Sequence, residues 1–221
     1  MTLMLYFHPF SSYCQKVLIA LYEAGTPFEK KLVNLGDPDE EAAFRALWPM
    51  RRFPVLVDDK RGATVPESSI IIEYLEQHYP GAGRMLPEDA ELRLKVRLLD
   101  RFFDSFVMTP MQKIVGDHIR TAQVRDPAGV GEARDLLARA YGWLEGELAG
   151  RTWAAGDAFT MADCAAAPAL FYADLIAPVD TFPNVAAYLG RLRMRPSFAR
   201  AVDEARPFRG FFPPGWPEGR D

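Results

Sequence analysis

The sequence predicts an α/β N-terminal domain followed by an all-α C-terminal domain. Three observations favour this organisation. Short apolar runs that are typical of strands occur in the first 66 residues, and apolar residues beyond residue 90 recur at intervals of three or four. Between these regions, residues 80–87 are rich in proline, glycine and alanine, which is typical of a linker. We therefore expect one domain over residues 1–80 and a second over residues 88–221.

The first domain is predicted to have the order βαβ, α, ββ, α. Its short apolar runs predict strands over residues 3–6, 28–33, 54–57 and 63–65. The spacing of apolar residues predicts helices that begin at Ser11 or Ser12, at Asp37 and at Ser68. Gly25 and Pro49 end the first two helices, because glycine favours the left-handed backbone past a helix and proline cannot continue one.

The second domain is predicted to be helical as far as residue 205. The helical spacing covers residues 88–117, 131–148, 161–176, 185–194 and 196–205. We expect kinks at Pro110 and Pro168, because proline lacks the N–H that a helix interior uses. The segment 207–221 holds four prolines, three phenylalanines and Trp216, so we expect it to be irregular but ordered and docked on the protein.

Composition excludes several classes of protein. The chain carries 26 basic and 30 acidic residues, a net charge of −4, which disfavours a nucleic-acid binder that relies on a basic face. Two cysteines and three histidines, without paired spacing, exclude a disulfide scaffold and a structural zinc site. The sequence has no basic region before its first apolar run and no stretch of 18 apolar residues, so we expect no membrane association and a cytoplasmic location.

The junction between the first strand and the first helix could carry chemistry. The segment from Phe10 to Cys14 has the spacing of a Cys-x-x-Cys redox motif, with Ser11 in place of the first cysteine. This replacement disfavours dithiol chemistry, whereas a helix N-terminus with a hydroxyl suits a thiolate that arrives with a ligand. Alternatively, Ser11 and Ser12 are only helix caps and Cys14 is a small buried residue.

Three further motifs carry a resemblance to a known family. These are Phe53-Pro54-Val55-Leu56, Pro66-Glu67-Ser68-Ser69-Ile70 and Phe159-Thr160-Met161-Ala162-Asp163, the last of which reads as a helix-capping box. With them the sequence resembles the cytosolic glutathione S-transferase family, in particular its serine-type theta-, zeta- and phi-like branches, over essentially its whole length. The resemblance implies a thioredoxin-like first domain, glutathione as co-substrate, no metal, and a homodimer.

The resemblance also implies roles for five residues. Pro54 would follow a cis peptide bond, and the backbone of Phe53 would pair with the peptide part of glutathione. Glu67 and Ser68 would hold the γ-glutamyl end of glutathione, and Arg52 would contact its glycyl carboxylate. The sequence departs from the family pattern at three positions: Trp48 stands where the family has Asn, Arg51 where it has Gly, and Phe53 where it has Val.

For the reaction, the resemblance implies that Ser11 donates its hydroxyl to the glutathione thiolate, with Ser12 as the alternative donor. The thiolate would then attack a hydrophobic electrophile. We expect this second substrate between the domains, against Phe10, Tyr13, Phe103, Phe106 and Met111. Aromatic residues of the C-terminal segment would cover the same pocket.

Two alternative functions remain open at this point. One is a glutathione-dependent thiol transferase or peroxidase in which Cys14 forms a mixed disulfide. The other is a glutathione-binding module that keeps the fold without turnover.

Overall fold

The computed structural model describes residues 3–81 and 84–220. Residues 82 and 83 of the predicted linker, and residues 1, 2 and 221 at the predicted domain ends, lie outside these ranges. The strands are β1 (Leu3–Phe7), β2 (Glu29–Leu32), β3 (Val55–Asp58) and β4 (Ala63–Pro66). The α-helices are α1 (Ser12–Ala24), α2 (Pro38–Leu47), α3 (Ser68–His78), α4 (Ala90–Phe102), α5 (Thr109–His118), α6 (Pro127–Glu147), α7 (Met161–Asp174), α8 (Pro183–Arg193) and α9 (Pro196–Ala205).

The four strands form one mixed sheet in the order β2-β1-β3-β4. β1 is parallel to β2 and antiparallel to β3, and β3 is antiparallel to β4. Leu5 of β1 pairs with Leu56 of β3, and both side chains are fully buried at the centre of the sheet. The α/β domain followed by a helical domain is therefore confirmed, and β2 and β4 are the edge strands of the sheet.

Helix α1 is the element on which the two domains meet. It packs against α3 of the first domain and against α7 and α9 of the second. Its residues Val17, Leu18 and Ile19 are fully buried because neighbouring elements cover successive sides of the helix. Gly25 ends α1 with φ 65°, a left-handed backbone that glycine adopts without a steric penalty.

The structure corrects the prediction of one helix over residues 88–117. A π-helical turn, Phe103–Met108, separates α4 from α5. Within it the backbone N–H of Thr109 donates to the carbonyl of Asp104, five residues earlier, so the turn holds one residue more than an α-helical turn. Pro110 follows directly in the first turn of α5, where a backbone N–H is not needed for a hydrogen bond within that helix. Pro168 lies inside α7 without ending it.

Helix α6 begins four residues before the predicted position 131. Asp126 caps it, since its side chain accepts a hydrogen bond of 2.9 Å from the N–H of Gly129, and Pro127 occupies the first turn. An acidic cap followed by proline is a helix-start signal that the apolar spacing alone did not include. No helix within residues 3–81 and 84–220 is both long enough and apolar enough to cross a membrane.

The C-terminal segment is ordered and docked, as predicted, but it is not wholly irregular. A 3-10 helix, Arg206–Phe211, continues directly from α9. Phe212 is then buried, and the ring of Trp216 lies 6.3 Å from that of Phe10 and 5.9 Å from that of Phe171. These ring contacts hold the end of the chain against the β1–α1 junction and α7.

Candidate functional site

A cleft of about 480 Å³ lies at the N-termini of α1 and α3, and we call it the main cleft. The residues that line it are Ser11, Tyr13, Leu35, Arg51, Arg52, Phe53, Pro54, Glu67, Ser68 and Gln112. Six of these are residues for which the sequence predicts a role in binding or activating glutathione: Ser11, Arg52, Phe53, Pro54, Glu67 and Ser68. The fold brings all six together although they come from three separate segments of the chain.

Ser11 is the N-cap of α1 and faces the main cleft. Its Oγ accepts a hydrogen bond of 3.4 Å from the N–H of Cys14, and its own N–H donates to the carbonyl of His8 at 3.0 Å. Because Oγ acts as an acceptor toward the helix, its proton is available to a ligand in the cleft. The N-terminus of α1 also favours a negative charge at this point.

Ser12, the alternative donor, lies elsewhere. Its side chain is buried at 7% exposure, and its Oγ donates to Sδ of Met108 at 3.3 Å in the contact between the domains. The start of the helix therefore separates the two serines, because consecutive residues at a helix N-terminus point in different directions. Of the two, Ser11 lines the main cleft.

The loop before β3 forms one wall of the main cleft. The peptide bond between Phe53 and Pro54 is cis, and Arg52 is exposed beside it. Arg51 has φ 54°, a left-handed backbone that glycine adopts more readily than a residue with a side chain. This explains why glycine, which the family pattern has at this position, suits it better than arginine. The Arg51 guanidinium forms an ion pair with Glu41 of α2, which helps to hold this loop.

The N-terminus of α3 forms the opposite end of the main cleft. Ser68 is buried in the first turn of α3, and Glu67 precedes it with φ 70°. Among the described residues, Arg51 and Glu67 are the two non-glycine residues with left-handed φ, and both line this cleft. Such strained backbone is concentrated at binding and catalytic sites, where the surrounding structure maintains it.

The structure does not bring most of the predicted second-substrate residues into the main cleft. Phe103 and Met111 are buried in the core at 0% and 5% exposure. Phe106 is 46% exposed and its ring lies 5.4 Å from that of Phe102 on the outer side of α4. Phe10 packs beneath the C-terminal segment.

Tyr13 is the one residue of that set that lines the main cleft. Burial and, to a smaller extent, the carboxylate of Asp104 raise the pKa of Tyr13 to about 12. The phenol therefore stays protonated at neutral pH. A phenol with a raised pKa is poorly suited to serve as the base that ionises a bound thiol.

A second cleft of about 400 Å³ adjoins the main cleft at Tyr13, Glu67 and Ser68. Its floor contains a buried charged cluster that the sequence analysis did not include. Nζ of Lys16 lies 2.6 Å from Oδ1 of Asp100 and 2.9 Å from Oδ2 of Asp104. Two carboxylates thus share one ammonium. Burial raises the pKa of Asp104, and the negative charge of the nearby Asp100 also raises it.

Ser69 completes this cluster. Lys16 Nζ donates to its Oγ at 2.8 Å, and the Oγ in turn donates to Oδ2 of Asp100 at 2.6 Å. The cluster therefore joins α1, the first turn of α3 and α4. The spacing of Asp100 and Asp104, four residues apart, was a signal for one shared helix face, but only the fold shows that Lys16 meets them.

The sequence analysis also did not predict a third concave region. It has a volume of about 440 Å³ and lies between the segment after β2 and the 3-10 helix of the C-terminal segment. We call it the tail pocket; it is lined by His8, Leu32, Val33, Asn34, Leu35, Phe53, Phe208 and Phe211. Leu35 and Phe53 line the main cleft as well, so the two regions are adjacent.

Cys14 is fully buried one turn into α1. Burial raises the pKa of its thiol to about 12, although the neighbouring Ser11 side chain and the backbone N–H of His8 act in the opposite direction. Cys164 is also buried and its pKa is raised by burial. Neither thiol therefore has the exposure or the thiolate character of a reactive cysteine.

The fold and the cleft together define the class of protein: a thioredoxin-like domain is joined to a helical domain, and the cleft lies at the N-termini of α1 and α3. Comparisons with known proteins identify the family. The profile of the glutathione S-transferase N-terminal domain matches residues 5–83, and the profile of the C-terminal domain matches residues 120–191. The chain belongs to the glutathione S-transferase family.

Individual relatives differ in what their names describe. A maleylpyruvate isomerase of Ralstonia sp is 30% identical over 87% of this chain and 92% of its own length. The FtsZ-localized protein A of Caulobacter vibrioides is 29% identical over 88% of each chain. A crystal structure of a glutathione S-transferase from Methylobacillus flagellatus with glutathione bound superposes with a TM-score of 0.82, at 25% identity, over 90% of this chain and 98% of that one.

Proposed function

We propose that the protein binds glutathione in the main cleft and ionises its thiol, so that the thiolate can attack a hydrophobic electrophile. The observation that carries this proposal is the position of Ser11, whose hydroxyl lies inside the cleft at the N-terminus of α1. Both the hydroxyl and the helix N-terminus stabilise a negative charge on sulfur. Neither stabilises the neutral thiol to the same extent, and the pKa of the thiol therefore falls.

The magnitudes support this assignment. Lowering a thiol pKa from about 8.5 to about 6.5 requires about 2.7 kcal/mol. A helix N-terminus contributes about 0.3 to 1 kcal/mol. A hydrogen bond to a charged acceptor contributes about 1.5 to 3 kcal/mol, so the two together reach the required value and the helix alone does not.

The remaining residues of the main cleft fit the rest of the tripeptide. The carboxylate of Glu67 suits the ligand's ammonium, while Ser68 and the first N–H groups of α3 suit its α-carboxylate. At the other end of the cleft, the guanidinium of Arg52 suits the glycyl carboxylate. The backbone of Phe53 lies between these ends, where it would pair with the cysteinyl residue.

The test compares two adjacent serines. We expect Ser11→Ala to retain glutathione affinity within about tenfold, a difference of about 1.4 kcal/mol, and to lose the ultraviolet absorbance of the bound thiolate. Ser12→Ala is the matched control, because it removes a hydroxyl outside the cleft. It should retain both the affinity, measured by calorimetry, and the thiolate absorbance. A thiolate signal that persists in Ser11→Ala would refute the assignment of Ser11.

The thiol transferase or peroxidase alternative depends on Cys14. Its burial and raised pKa disfavour attack on a disulfide or peroxide. Activity that survives Ser11→Ala but is lost in Cys14→Ser would nevertheless select this alternative.

A binding module without turnover is supported by one comparison, the similarity to FtsZ-localized protein A over 88% of the chain. The main cleft would then hold glutathione without a second substrate. Glutathione binding in calorimetry, with no conjugation across a broad panel of electrophiles, would favour this function over the transferase.

We also propose that the protein forms a homodimer through the outer face of α4. Leu94 and Leu98, one turn apart, are 63% and 60% exposed. Phe102 and Phe106 continue the same face, and the ring of Trp143 lies 4.4 Å from that of Phe102. Side chains of this size are rarely exposed in a continuous row on a monomer, and a second copy of the chain would cover them.

A further inference from the structure

The loop that joins β1 to α1 ends at Ser11, the residue to which thiol ionisation is assigned. Local hydrogen bonds hold part of this loop. The N–H of Ser11 donates to the carbonyl of His8 at 3.0 Å, and the N–H of Phe10 donates to Nδ1 of His8 at 3.2 Å. The two carbonyls that directly precede Ser11, those of Pro9 and Phe10, accept instead from side chains farther along the chain.

Gln15 is the first of these side chains. It lies in α1 and is fully buried. Its Nε2 donates to the carbonyl of Pro9 at 3.0 Å and to the hydroxyl of Tyr172 at 3.0 Å. A carbonyl oxygen can only accept, so the amide must present its nitrogen and not its oxygen to Pro9. Both N–H groups of the amide are therefore in use, one on the loop and one on Tyr172.

Tyr172 is the second side chain, and it belongs to α7 of the helical domain. Its hydroxyl donates to the carbonyl of Phe10 at 3.1 Å. Because the hydroxyl oxygen accepts from Gln15, its single proton is directed toward Phe10. Burial raises the pKa of Tyr172, so the hydroxyl keeps this proton at neutral pH.

Tyr172 also contacts the side chain of Phe10. The two rings meet edge to face, with the centroids 5.4 Å apart and an interplanar angle of 75°. The hydroxyl and the ring of one tyrosine thus hold the backbone and the side chain of the residue before Ser11. The residues that hold this loop from outside it come from both domains, because Gln15 lies in α1 and Tyr172 in α7.

The carbonyl of Phe10 and the nitrogen of Ser11 belong to the same peptide unit, which is planar. A hydrogen bond that fixes this carbonyl therefore fixes the plane from which Ser11 begins. The bond that Ser11 Oγ accepts from the N–H of Cys14 is long, at 3.4 Å, and restrains the hydroxyl only weakly. The orientation of the preceding peptide plane is the stronger restraint on where the hydroxyl lies.

We propose that Tyr172 is a positioning residue for thiol ionisation: through the carbonyl of Phe10 it directs the hydroxyl of Ser11 toward the sulfur of glutathione. Gln15 supports this role, because it orients the hydroxyl of Tyr172 and holds the carbonyl of Pro9. This inference rests on the proposed function and adds a residue of the second domain to its mechanism. Ionisation of a thiol bound to the first domain then depends on the packing of α7.

The effect should fall on the charged form of the ligand. A hydrogen bond weakens steeply when its distance and angle depart from the optimum. The bond from Ser11 is stronger to a thiolate than to a neutral thiol, so a displaced hydroxyl destabilises mainly the thiolate. A variant of Tyr172 should therefore raise the pKa of the bound thiol while the affinity for the rest of the tripeptide is retained.

The test uses Tyr172→Phe, which removes the hydroxyl and keeps the ring. The ultraviolet absorbance of the thiolate is titrated against pH for glutathione bound to the full chain. We expect the pKa of the bound thiol to rise by about one unit, a tenfold change in the ionisation equilibrium. The affinity for S-methylglutathione, which has no thiol proton, should stay within about twofold of wild type.

Tyr141→Phe is the matched control. Tyr141 is also buried in the helical domain, and its hydroxyl donates to the carbonyl of Ala177 at 3.3 Å, away from the loop before Ser11. This variant loses a hydroxyl of the same kind, and it should leave the pKa of the bound thiol unchanged. An equal rise in both variants would overturn the assignment, because it would reflect a general loosening of the domain.

Two further variants test the route through Ser11. In a Ser11→Ala background, Tyr172→Phe should produce no further rise in the thiol pKa, because its effect passes through the missing hydroxyl. The same rise in both backgrounds would overturn a positioning role. Gln15→Met removes both N–H donors with little change in side-chain length, and it should raise the thiol pKa in the Ser11 protein. An unchanged pKa in Gln15→Met would overturn its supporting role.

Hydrogen exchange of the Ser11 N–H, measured by NMR without ligand, reports on the loop separately from the chemistry. We expect exchange to be about tenfold faster or more in Tyr172→Phe and unchanged in Tyr141→Phe. If it is faster but the wild-type protein does not ionise glutathione, the proposed function fails and the hold of Tyr172 on the loop stands. If the wild type ionises glutathione through Ser11 and Tyr172→Phe leaves the thiol pKa unchanged, this inference alone fails.

Discussion

Nζ of Lys16 lies 2.6 Å from Oδ1 of Asp100, and each side chain is only 1% exposed. The pair joins α1 of the first domain to α4 of the second. A buried charge that loses its partner is far more costly than an exposed one, because water cannot replace the missing interaction. The contact between the domains therefore depends on this ion pair as well as on apolar packing.

We expect Lys16→Met to lower the free energy of unfolding by about 3 to 5 kcal/mol, because it leaves Asp100 and Asp104 buried without their cation. Urea unfolding measures the change. Arg97→Met is the control: Arg97 pairs with Glu73 of α3 at 2.6 Å and also joins the two domains, but both side chains are partly exposed. Its loss should cost less than about 1 kcal/mol. Equal losses in the two variants would contradict the importance of burial.

The same cluster predicts that the stability of the fold depends on pH. The pKa of Asp104 is raised by burial, so the folded state binds a proton more readily than the unfolded state does. The stability contributed by this group is complete at low pH and is lost as the pH rises through its folded-state pKa. In Asp104→Asn this titration is absent. Measured by urea unfolding, wild type should gain stability relative to Asp104→Asn as the pH is lowered from 7 to about 4; the opposite trend would show that the pKa is depressed.

We expect both cysteines to be unreactive in the native protein. Since the pKa of Cys14 is about 12 and the thiol is buried, its reaction with a disulfide reagent at neutral pH should be at least about a hundredfold slower than that of free cysteine. In denaturant, both thiols should react rapidly. A fast native reaction that disappears in Cys14→Ser would revive the thiol transferase alternative.

Asp163 should be essential for the stability of the helical domain. Its Oδ1 accepts from the N–H of Ala154 at 2.8 Å and from the hydroxyl of Tyr188 at 2.6 Å, and its Oδ2 accepts from the N–H and the hydroxyl of Thr160. We expect Asp163→Ala to cost about 3 to 5 kcal/mol, because these buried donors lose their acceptor.

Asp37→Ala provides the comparison for Asp163. Asp37 caps α2 at an exposed position, where water can replace its two hydrogen bonds, and its loss should cost about 1 kcal/mol. Both values come from denaturant unfolding. If the two substitutions cost the same, Asp163 acts only as an ordinary helix cap.

The proposed dimer face predicts that Leu98→Glu produces a monomer. A charge placed in the apolar row on α4 would have to be buried without a partner in the dimer. Light scattering coupled to gel filtration measures the mass. Ile119→Glu, at a similarly exposed position, should leave the mass unchanged. A dimer that survives Leu98→Glu would place the interface elsewhere.

The sequence predicted the sheet and most helices because local signals determine them. Gly25 marked the end of α1, and the motifs around Pro54 and Glu67 marked two walls of the main cleft. Of the residues expected to contact a second substrate, Tyr13 lines the main cleft, whereas Phe103 and Met111 lie in the core. Periodicity shows that Phe103 and Met111 are apolar and helical, but it does not distinguish a side chain in the core from one in a pocket.

The cluster around Lys16 and the tail pocket could not be predicted for a related reason. Each depends on contacts between residues that are far apart in the chain, such as Lys16 with Asp104 or His8 with Phe208. Such contacts follow from the packing of the two domains and the course of the C-terminal segment. Residue spacing within one helix contains no information about them.

The π-helical turn at Phe103–Met108 has a consequence for how related chains are compared. One extra residue rotates everything after it by about 100° about the helix axis. Gln112, which lies after this turn, lines the main cleft. If a relative lacks the extra residue, an alignment without a gap equates positions that point in different directions. Such a relative would present a different side chain to the ligand even where the two sequences look alike.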